Sequence, residues 1–233
     1  VLSSAGELFN RGFSVVRLNL RDHGDTAHLN EEMFHSARTE EVVDAVRQIA
    51  ALVQGPVGVA GYSLGGNFAL RIARETGLPS LAICPAIDPP ASMTSIDSGL
   101  SVYRLFFLQK WQRALRQKEI AFPDRYEFTQ ARKLRTVGDL TDLFVRDHTD
   151  YPDTASYLAA YTLTGDSLRD TEATVIYAED DPVIPAEGFE LLPTSIRKVP
   201  SRHGGHCAFI QDPRSPTWAD AWLVGYFEDQ LTR

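Results

Sequence analysis

The sequence predicts an α/β fold in which a mostly parallel sheet is flanked by helices. Short apolar runs with β-branched residues, bounded by turn residues, alternate along the chain with helical patterns. One long helical stretch interrupts this alternation. The predicted strands are Ser14–Leu20, Pro56–Gly61, Ser80–Ala86, Ala173–Ala178 and Ser195–Val199.

Three helical patterns accompany these strands. Over Thr39–Leu52 apolar residues recur every three to four positions, which is typical of a helix with one buried face. Leu64–Thr76 directly follows the second strand and stops before Gly77, a residue type that often ends helices in the left-handed conformation. Trp218–Leu231 predicts a last amphipathic helix.

The interruption divides the chain into a core and an insertion. No clear strand lies between about residues 88 and 170, and the helical patterns there are rich in aromatic, Arg and Lys residues. These patterns are Val102–Lys118, Tyr126–Leu134, Val137–Arg146 and Thr154–Leu163. We expect residues 1–87 and 171–233 to form the core, and residues 88–170 to form a helical cap above the carboxyl ends of the strands.

The first residues indicate an upstream continuation. The chain begins with Val1 rather than Met, inside a pattern that reads as a helix running into a strand over Leu8–Leu20. We therefore expect further sequence before Val1, including N-terminal strands of the sheet.

Composition excludes several classes of function. The 233 residues carry a formal net charge of -8, whereas binding to nucleic acid needs clustered Lys and Arg. The charge also disfavours an anionic membrane surface, and no run approaches the roughly 20 apolar residues of a membrane span. Cys84 and Cys207 are the only cysteines and form no CxxC spacing, which gives no sign of zinc or of a redox pair. A reducing compartment, the cytoplasm, fits best.

A G-x-S-x-G motif stands between the second strand and the helix after it, with Ser63 at its centre. In such a nucleophile elbow the chain turns so sharply that the serine adopts strained backbone geometry. Side chains two positions away would collide with neighbouring elements, and Gly61 and Gly65 occupy those positions. The motif predicts Ser63 as a nucleophile and the backbone N–H of Leu64, at the helix start, as an oxyanion-hole donor.

A carboxylate follows the late strand Ala173–Ala178. A serine hydroxyl needs a base to become nucleophilic, and that base needs a carboxylate to fix its tautomer. The strand runs into the loop Glu179–Pro185, which contains two consecutive aspartates. The candidates are Asp181, which stands four residues before Pro185, and, as the alternative, Asp180. A solvated acidic turn is the non-catalytic interpretation.

A histidine preceded by glycines completes the pattern. His206 lies after the last predicted strand and before the last helix, and two glycines allow its loop to return over the sheet. His203 is the alternative base. Cys207 could tune or inhibit the base, although a small packing residue is the commoner role, and Cys84 reads as core.

Together these residues resemble the α/β-hydrolase superfamily, and within it the YheT-like branch of plant embryogenesis-associated proteins and animal abhydrolase-domain lipases. The resemblance covers nearly the whole chain. It rests on the motifs Leu20–Gly24, His35–Ser36, Gly61–Asn67, Asp180–Pro185 and Gly204–His206. It implies an α/β-hydrolase fold and hydrolysis of carboxylic esters, with Ser63, Asp181 and His206 matching the family's triad.

The sequence departs from that branch in two places. Members usually carry a His-Gly loop after a strand that precedes the Leu20–Gly24 motif, which supplies a second oxyanion-hole N–H, and we expect that loop before Val1. Asp22 stands where relatives often have a small residue. The polar residues around it, over Arg21–Asp25, could line a pocket, but a turn with internal hydrogen bonds is the better interpretation.

The predicted function is hydrolysis of a small-molecule ester with a short or medium acyl chain. The alternatives are thioesterase, amidase or acyltransferase chemistry on the same triad, or a non-catalytic ligand-binding module. Neither a metal nor an organic cofactor is indicated.

The basic run Lys110–Lys118 reads as a solvated helix face. Aromatic residues of the insertion could line an acyl pocket or simply pack: Phe106, Phe107, Trp111, Phe122, Tyr126 and Phe128.

Overall fold

Four parallel strands form one sheet. The computed structural model describes residues 1–212 and 214–231. The strands are β1 (Val59–Tyr62), β2 (Ser80–Ile83), β3 (Ala173–Ala178) and β4 (Ile196–Ser201). They lie in the order β1-β2-β3-β4, and every neighbouring pair is parallel. Because the strands run the same way, the loops that follow them emerge at one edge of the sheet.

The described part of the chain contains eight α-helices. They are α1 (Leu2–Asn10), α2 (Glu40–Leu52), α3 (Leu64–Thr76), α4 (Pro89–Ser98), α5 (Ser101–Ala121), α6 (Val137–His148), α7 (Thr154–Ala159) and α8 (Trp218–Leu231). The predicted alternation of strand and helix is confirmed. Gly77 ends α3 in the left-handed conformation, with φ 70°, as its residue type predicts.

The chain forms two compact units. The first contains residues 1–17, 39–88 and 162–233, and the second contains residues 18–38 and 89–161. The second unit includes most of the stretch in which a helical insertion is expected. It also takes in residues 18–38, which sequence patterns alone assign to the core.

The core of the first unit surrounds β2 and β3. Both strands are buried along their whole length, which explains why their residues read as continuous apolar runs. Helix α3 packs against β1 and β2, and α8 contacts β2. Leu81, Ile83 and Ile176 share one apolar cluster with Leu223 and Phe227 of α8. This packing holds the carboxyl ends of β1, β2 and β3 beside one another.

The prediction of a strand over Ser14–Leu20 is wrong for this structure. The sheet contains only β1 to β4, and within the described residues no strand pairs with this run. Val16 and Leu18 are exposed. An apolar run becomes a strand only where a neighbouring strand takes up its backbone hydrogen bonds, and no neighbour does so here.

The helical prediction over Tyr126–Leu134 also fails. This stretch contains only a short 3-10 turn, Ala131–Lys133. The N–H of Phe128 donates to the carboxylate of Glu119 at 3.2 Å, and the rings of Tyr126 and Phe128 stack with centroids 5.7 Å apart. Contacts of the side chains within the second unit therefore override the local periodicity.

A buried ion pair organises the loop before α2. Lys118 of α5 is only 1% exposed at its side chain, and its Nζ donates to Asp22 Oδ1 at 2.9 Å. The same ammonium donates to the carbonyl oxygens of Asn30 at 2.6 Å and Glu32 at 2.9 Å. The expectation that the basic run is a solvated face is therefore wrong for Lys118. With the carbonyl oxygen of Ala27 at 3.3 Å, four oxygen acceptors compensate the cost of burying its charge.

Candidate active site

The loops that follow three strands carry the predicted site residues. Ser63 follows β1, Asp181 follows β3, and His206 lies in the loop after β4. All three belong to the first compact unit. The parallel sheet therefore gathers side chains that are far apart in sequence, because every one of these strands ends at the same edge.

Ser63 occupies a strained turn. Its backbone has φ 52° and ψ -119°, a conformation that L-residues rarely adopt. A Cβ at Gly61 would lie 2.0 Å from the carbonyl oxygen of Gly65, so only glycine fits there. A Cβ at Gly65 would meet nothing within 4 Å, and the predicted collision at that position is wrong. The space that a side chain would need is therefore missing at Gly61, which lies against the backbone of Gly65 in the first turn of α3, and not at Gly65 itself.

The first turn of α3 lies directly after this serine. Leu64 is the first helical residue, so its N–H has no acceptor within the helix. Gly66 approaches Pro85 so closely that a Cβ would lie 3.0 Å from the proline Cβ. Asn67 Nδ2 donates to the carbonyl oxygen of Ala86 at 2.7 Å. These contacts tie the helix start to the loop after β2 and hold the Leu64 N–H beside Ser63.

Asp181 is held by its own loop. Its Oδ1 accepts hydrogen bonds from the N–H groups of Val183 at 2.8 Å and Ile184 at 3.1 Å. The side chain is only 2% exposed. This is an Asx-type turn, in which a carboxylate caps the backbone two residues further on. Oδ1 is anchored in this way, and both oxygens lie near His206 Nδ1, Oδ2 at 2.9 Å and Oδ1 at 3.2 Å.

His206 bridges the acid and the serine. Its Nδ1 lies 2.9 Å from Asp181 Oδ2, and its Nε2 lies 3.0 Å from Ser63 Oγ. The carboxylate can only accept a hydrogen bond, so Nδ1 carries the proton. Nε2 then presents its lone pair to the serine hydroxyl, which is the arrangement needed to remove the hydroxyl proton.

The environment of His206 changes its basicity. Burial of the ring opposes protonation, but the hydrogen bond to Asp181 and the charges of Cys207 and Asp181 outweigh burial. Together they raise the pKa of His206 above its ordinary value. A raised pKa makes the imidazole a stronger base towards Ser63.

Asp180 and His203 take other positions. Asp180 Oδ1 accepts hydrogen bonds from the N–H groups of Gly204 and Gly205, both at 2.8 Å, and these bonds lower the pKa of its carboxyl. His203 is 90% exposed at its side chain, and its Nδ1 lies 3.4 Å from Asp180 Oδ2. Asp180 therefore braces the histidine loop through its backbone. Sequence reasoning missed this role, which two adjacent aspartates and a distant Gly-Gly pair do not reveal.

A polar cluster contacts Tyr62, the residue that precedes the nucleophile in the elbow. Tyr62 Oη lies 2.7 Å from Ser4 Oγ, and Ser3 Oγ donates to Asp220 Oδ2 at 2.9 Å. Burial raises the pKa of Tyr62 to about 12, so its hydroxyl keeps its proton at neutral pH. The cluster joins α1 and α8 to the residue that precedes the nucleophile.

Aromatic residues of the insertion pack with one another. The rings of Trp111 and Phe144 meet edge to face with centroids 5.8 Å apart, and Phe128 lies 5.2 Å from the ring of His148. These contacts lie inside the second unit and account for Trp111, Tyr126 and Phe128 as packing residues. Phe106, by contrast, is exposed.

Two further kinds of feature are absent from residues 1–212 and 214–231. No three His, Cys, Asp or Glu side chains come together there in a way that could ligate a metal ion. No described helix combines the length and apolar character needed to cross a bilayer.

Comparison with known proteins identifies the family and the fold of the chain. A sequence profile described as "Alpha/beta hydrolase family" matches residues 3–217. A meta-cleavage product hydrolase from Pseudomonas fluorescens is 16% identical, with TM-score 0.58, over 98% of this chain and 84% of that one. A serine hydrolase from Cycloclasticus zankles is 16% identical, with TM-score 0.56, over 90% of this chain and 77% of that one.

An esterase from Exiguobacterium antarcticum has the same fold at 13% identity, with TM-score 0.52, over 97% of this chain and 86% of that one. No curated protein sequence matches this chain significantly. At such low identities the structural similarities show the fold alone, and the activity has to be argued from the side chains.

Proposed function

Because the chain belongs to the alpha/beta hydrolase family, we propose that it is a serine hydrolase that cleaves carboxylic esters. The observation that supports this proposal best is the continuous hydrogen-bond path from Ser63 Oγ through both nitrogens of His206 to Asp181. Such a path activates an alkyl hydroxyl that would otherwise be a poor nucleophile at neutral pH.

The proposed reaction has two stages. His206 removes the proton of Ser63 as Oγ attacks the acyl carbonyl carbon, and Asp181 stabilises the imidazolium that forms. His206 then donates the proton to the leaving alcohol, which leaves an acyl-enzyme. Water attacks this ester with His206 again as base, and the acid and free serine are released.

The oxyanion is assigned to the start of α3. The N–H of Leu64 donates to the developing negative charge, supported by the positive end of the helix dipole. Leu64 alone would form a weakened hole, because the loss of one donor from such a site costs about 10²–10³ in rate.

Ester hydrolysis is preferred over other acyl chemistry on two grounds. The motifs resemble the YheT-like branch, for which the same activity is implied, and solved structures of the same fold include esterases from Exiguobacterium antarcticum and Rhodothermus marinus. The proposed substrate is a small ester with a short or medium acyl chain. Both cysteines are free thiols, which supports our placement of the protein in the reducing cytoplasm.

A fluorophosphonate probe tests the proposal. This reagent phosphonylates serine hydroxyls that a neighbouring base has activated, and we expect labelling of the protein and none of Ser63→Ala. The exposed serine variant Ser98→Ala is the matched control and should label like the unaltered protein. Equal labelling of the Ser63→Ala variant would refute the assignment of the nucleophile.

Turnover is the second measurement. The unaltered protein should hydrolyse p-nitrophenyl acetate and butyrate steadily, and Ser63→Ala should lose at least about 10⁴-fold of that rate. Ester binding without turnover would instead favour a non-catalytic ligand-binding module. Faster turnover of matched thioesters or amides would assign a different leaving group to the same mechanism.

A further inference from the structure

The two cysteines of the chain meet beside the candidate site. Cys84 follows β2, and Cys207 follows His206 directly in sequence. Cys84 Sγ lies 4.0 Å from the carbonyl oxygen of Gly205, and Cys207 Sγ lies 3.8 Å from the carbonyl oxygen of Ile83. Each thiol therefore lies against the backbone segment that carries the other cysteine.

The contact makes the two thiols chemically unequal. The neighbouring Cys84 thiol lowers the pKa of the Cys207 thiol, against the effect of burial, and the charge of His206 lowers it further. Cys207 in turn raises the pKa of the Cys84 thiol, and burial adds to this. Cys207 is partly exposed and Cys84 is fully buried. Cys207 is therefore the more acidic and more accessible thiol, and Cys84 is the thiol that keeps its proton.

We propose that Cys84 and Cys207 form a redox-sensitive dithiol, which hydrogen peroxide converts into a disulfide that disables the neighbouring Ser63–His206 pair. The formation of the disulfide is independent of the proposed hydrolysis, whereas its effect on activity rests on that proposal. Sequence spacing gave no sign of this pair because the two residues are joined only by the fold.

The oxidation proceeds in two balanced steps. The Cys207 thiolate attacks one oxygen of the peroxide, so that an S–O bond forms, the O–O bond breaks and hydroxide leaves, to be protonated to water. Cys84 then gives up its proton and attacks the sulfenic sulfur, the S–S bond forms and the S–O bond breaks, and a second water leaves. Two thiols and one peroxide thus become one disulfide and two waters.

The disulfide displaces the catalytic imidazole. An S–S bond is about 2.05 Å long, so the two sulfurs must move closer than any non-bonded contact allows. Both backbones are already constrained, with φ 43° at Cys84 and φ 66° at Cys207, and the Cys84 N–H is anchored to the carbonyl of Ile176 at 2.7 Å. The loop of Cys207 therefore has to move towards Cys84. This movement carries His206 away from its 3.0 Å contact with Ser63 Oγ.

Intact mass and activity together test the inference. The reduced protein is titrated with hydrogen peroxide, and its mass is measured without reductant. We expect the loss of two hydrogens, and a Cys84–Cys207 cross-link in the peptide map. Ester turnover should fall by about 10²-fold, the cost of a displacement of about 1 Å at a catalytic group, and dithiothreitol should restore it.

Two variants serve as controls. Cys84→Ala should keep its turnover under reductant and should gain oxygen on Cys207 under peroxide without forming a cross-link. Cys207→Ala should form neither product, which keeps the test decisive if the buried Cys84 variant folds poorly. Full oxidation of Cys207 to the sulfenic or sulfinic acid in the unaltered protein, without a cross-link, would overturn the inference.

The mass readout separates this inference from the proposed function. A cross-link in a protein that hydrolyses no ester would support the dithiol and refute the hydrolase proposal. Steady turnover in a protein that never forms the cross-link would support the hydrolase and refute the dithiol. A cross-linked protein with unchanged turnover would overturn the proposed effect on His206.

Discussion

The carboxylate of Asp180 fixes the backbone of Gly205: its Oδ1 accepts a hydrogen bond from the Gly205 N–H at 2.8 Å. The adjacent aspartate, Asp181, contacts the imidazole of His206 at 2.9 Å. Two consecutive carboxylates thus hold the same histidine loop, one at its backbone and one at its ring. Asp180 thus positions the backbone of the loop, and Asp181 orients the imidazole ring.

Loss of Asp180 should loosen the histidine loop. In Asp180→Ala the N–H groups of Gly204 and Gly205 lose their acceptor, and we expect ester turnover to fall about 10- to 100-fold. Asp180→Asn keeps an acceptor oxygen and should recover most of that rate. Asp181→Ala should cost about 10⁴-fold. Steady-state kinetics with p-nitrophenyl acetate measures all three, and equal loss in Asp180→Asn and Asp180→Ala would contradict a role through backbone hydrogen bonds.

The raised pKa of His206 should be visible in the pH dependence of turnover. The base works only when it is neutral, so kcat/KM should rise with pH along an acid limb. Because the hydrogen bond to Asp181 favours the protonated ring, the midpoint of that limb should lie above about 6.5, the ordinary histidine value. A kcat/KM profile between pH 5 and 9 gives the midpoint.

The cause of that shift can be tested without activity. In the Ser63→Ala background, the imidazole C–H resonance of His206 should titrate at a lower pH when Asp181→Asn is added, since the neutral amide no longer stabilises the imidazolium. The exposed His203 provides an internal reference in the same spectrum. An unchanged midpoint for His206 would show that Asp181 does not set its basicity.

The two motif glycines should differ in their tolerance of a side chain. In Gly61→Ala the new Cβ would lie 2.0 Å from the carbonyl oxygen of Gly65, and we expect the free energy of unfolding to fall by about 1–3 kcal/mol or more. Gly65→Ala, whose Cβ meets nothing within 4 Å, should be neutral or stabilising because alanine favours helix. Urea denaturation measures the free energy of unfolding of both variants. Equal destabilisation would contradict a steric clash that is confined to position 61.

Removal of the buried ammonium of Lys118 should destabilise the protein strongly. Lys118→Met leaves Asp22 as a buried carboxylate without its cation, which costs about 3–5 kcal/mol. The exposed Lys110 of the same helix is the matched control, and Lys110→Met should change the free energy of unfolding by less than about 0.5 kcal/mol. Adding Asp22→Asn to Lys118→Met should recover part of the loss. Similar denaturation midpoints for the two lysine variants would show that the ion pair contributes little.

Local patterns in the sequence predicted the first and last residues of two elements correctly. Helix α3 spans Leu64–Thr76 and β3 spans Ala173–Ala178 as predicted, because an apolar period, a strand-to-helix glycine motif and a helix-ending Gly77 act over a few residues. The strained turn at Ser63 was predicted on the same basis, since neighbouring glycines permit it. These features depend on backbone sterics within one short segment.

Contacts between distant segments were decided only by the tertiary structure. Asp180 and Asp181 are chemically identical neighbours, and only the fold of their loop shows that Asp180 binds the glycine N–H groups. Cys84 and Cys207 meet because β2 and the histidine loop end at the same edge of the sheet. Lys118 is buried because distant carbonyl oxygens surround it. Such contacts depend on chain segments that no local pattern relates, so the packing of the whole fold determines them.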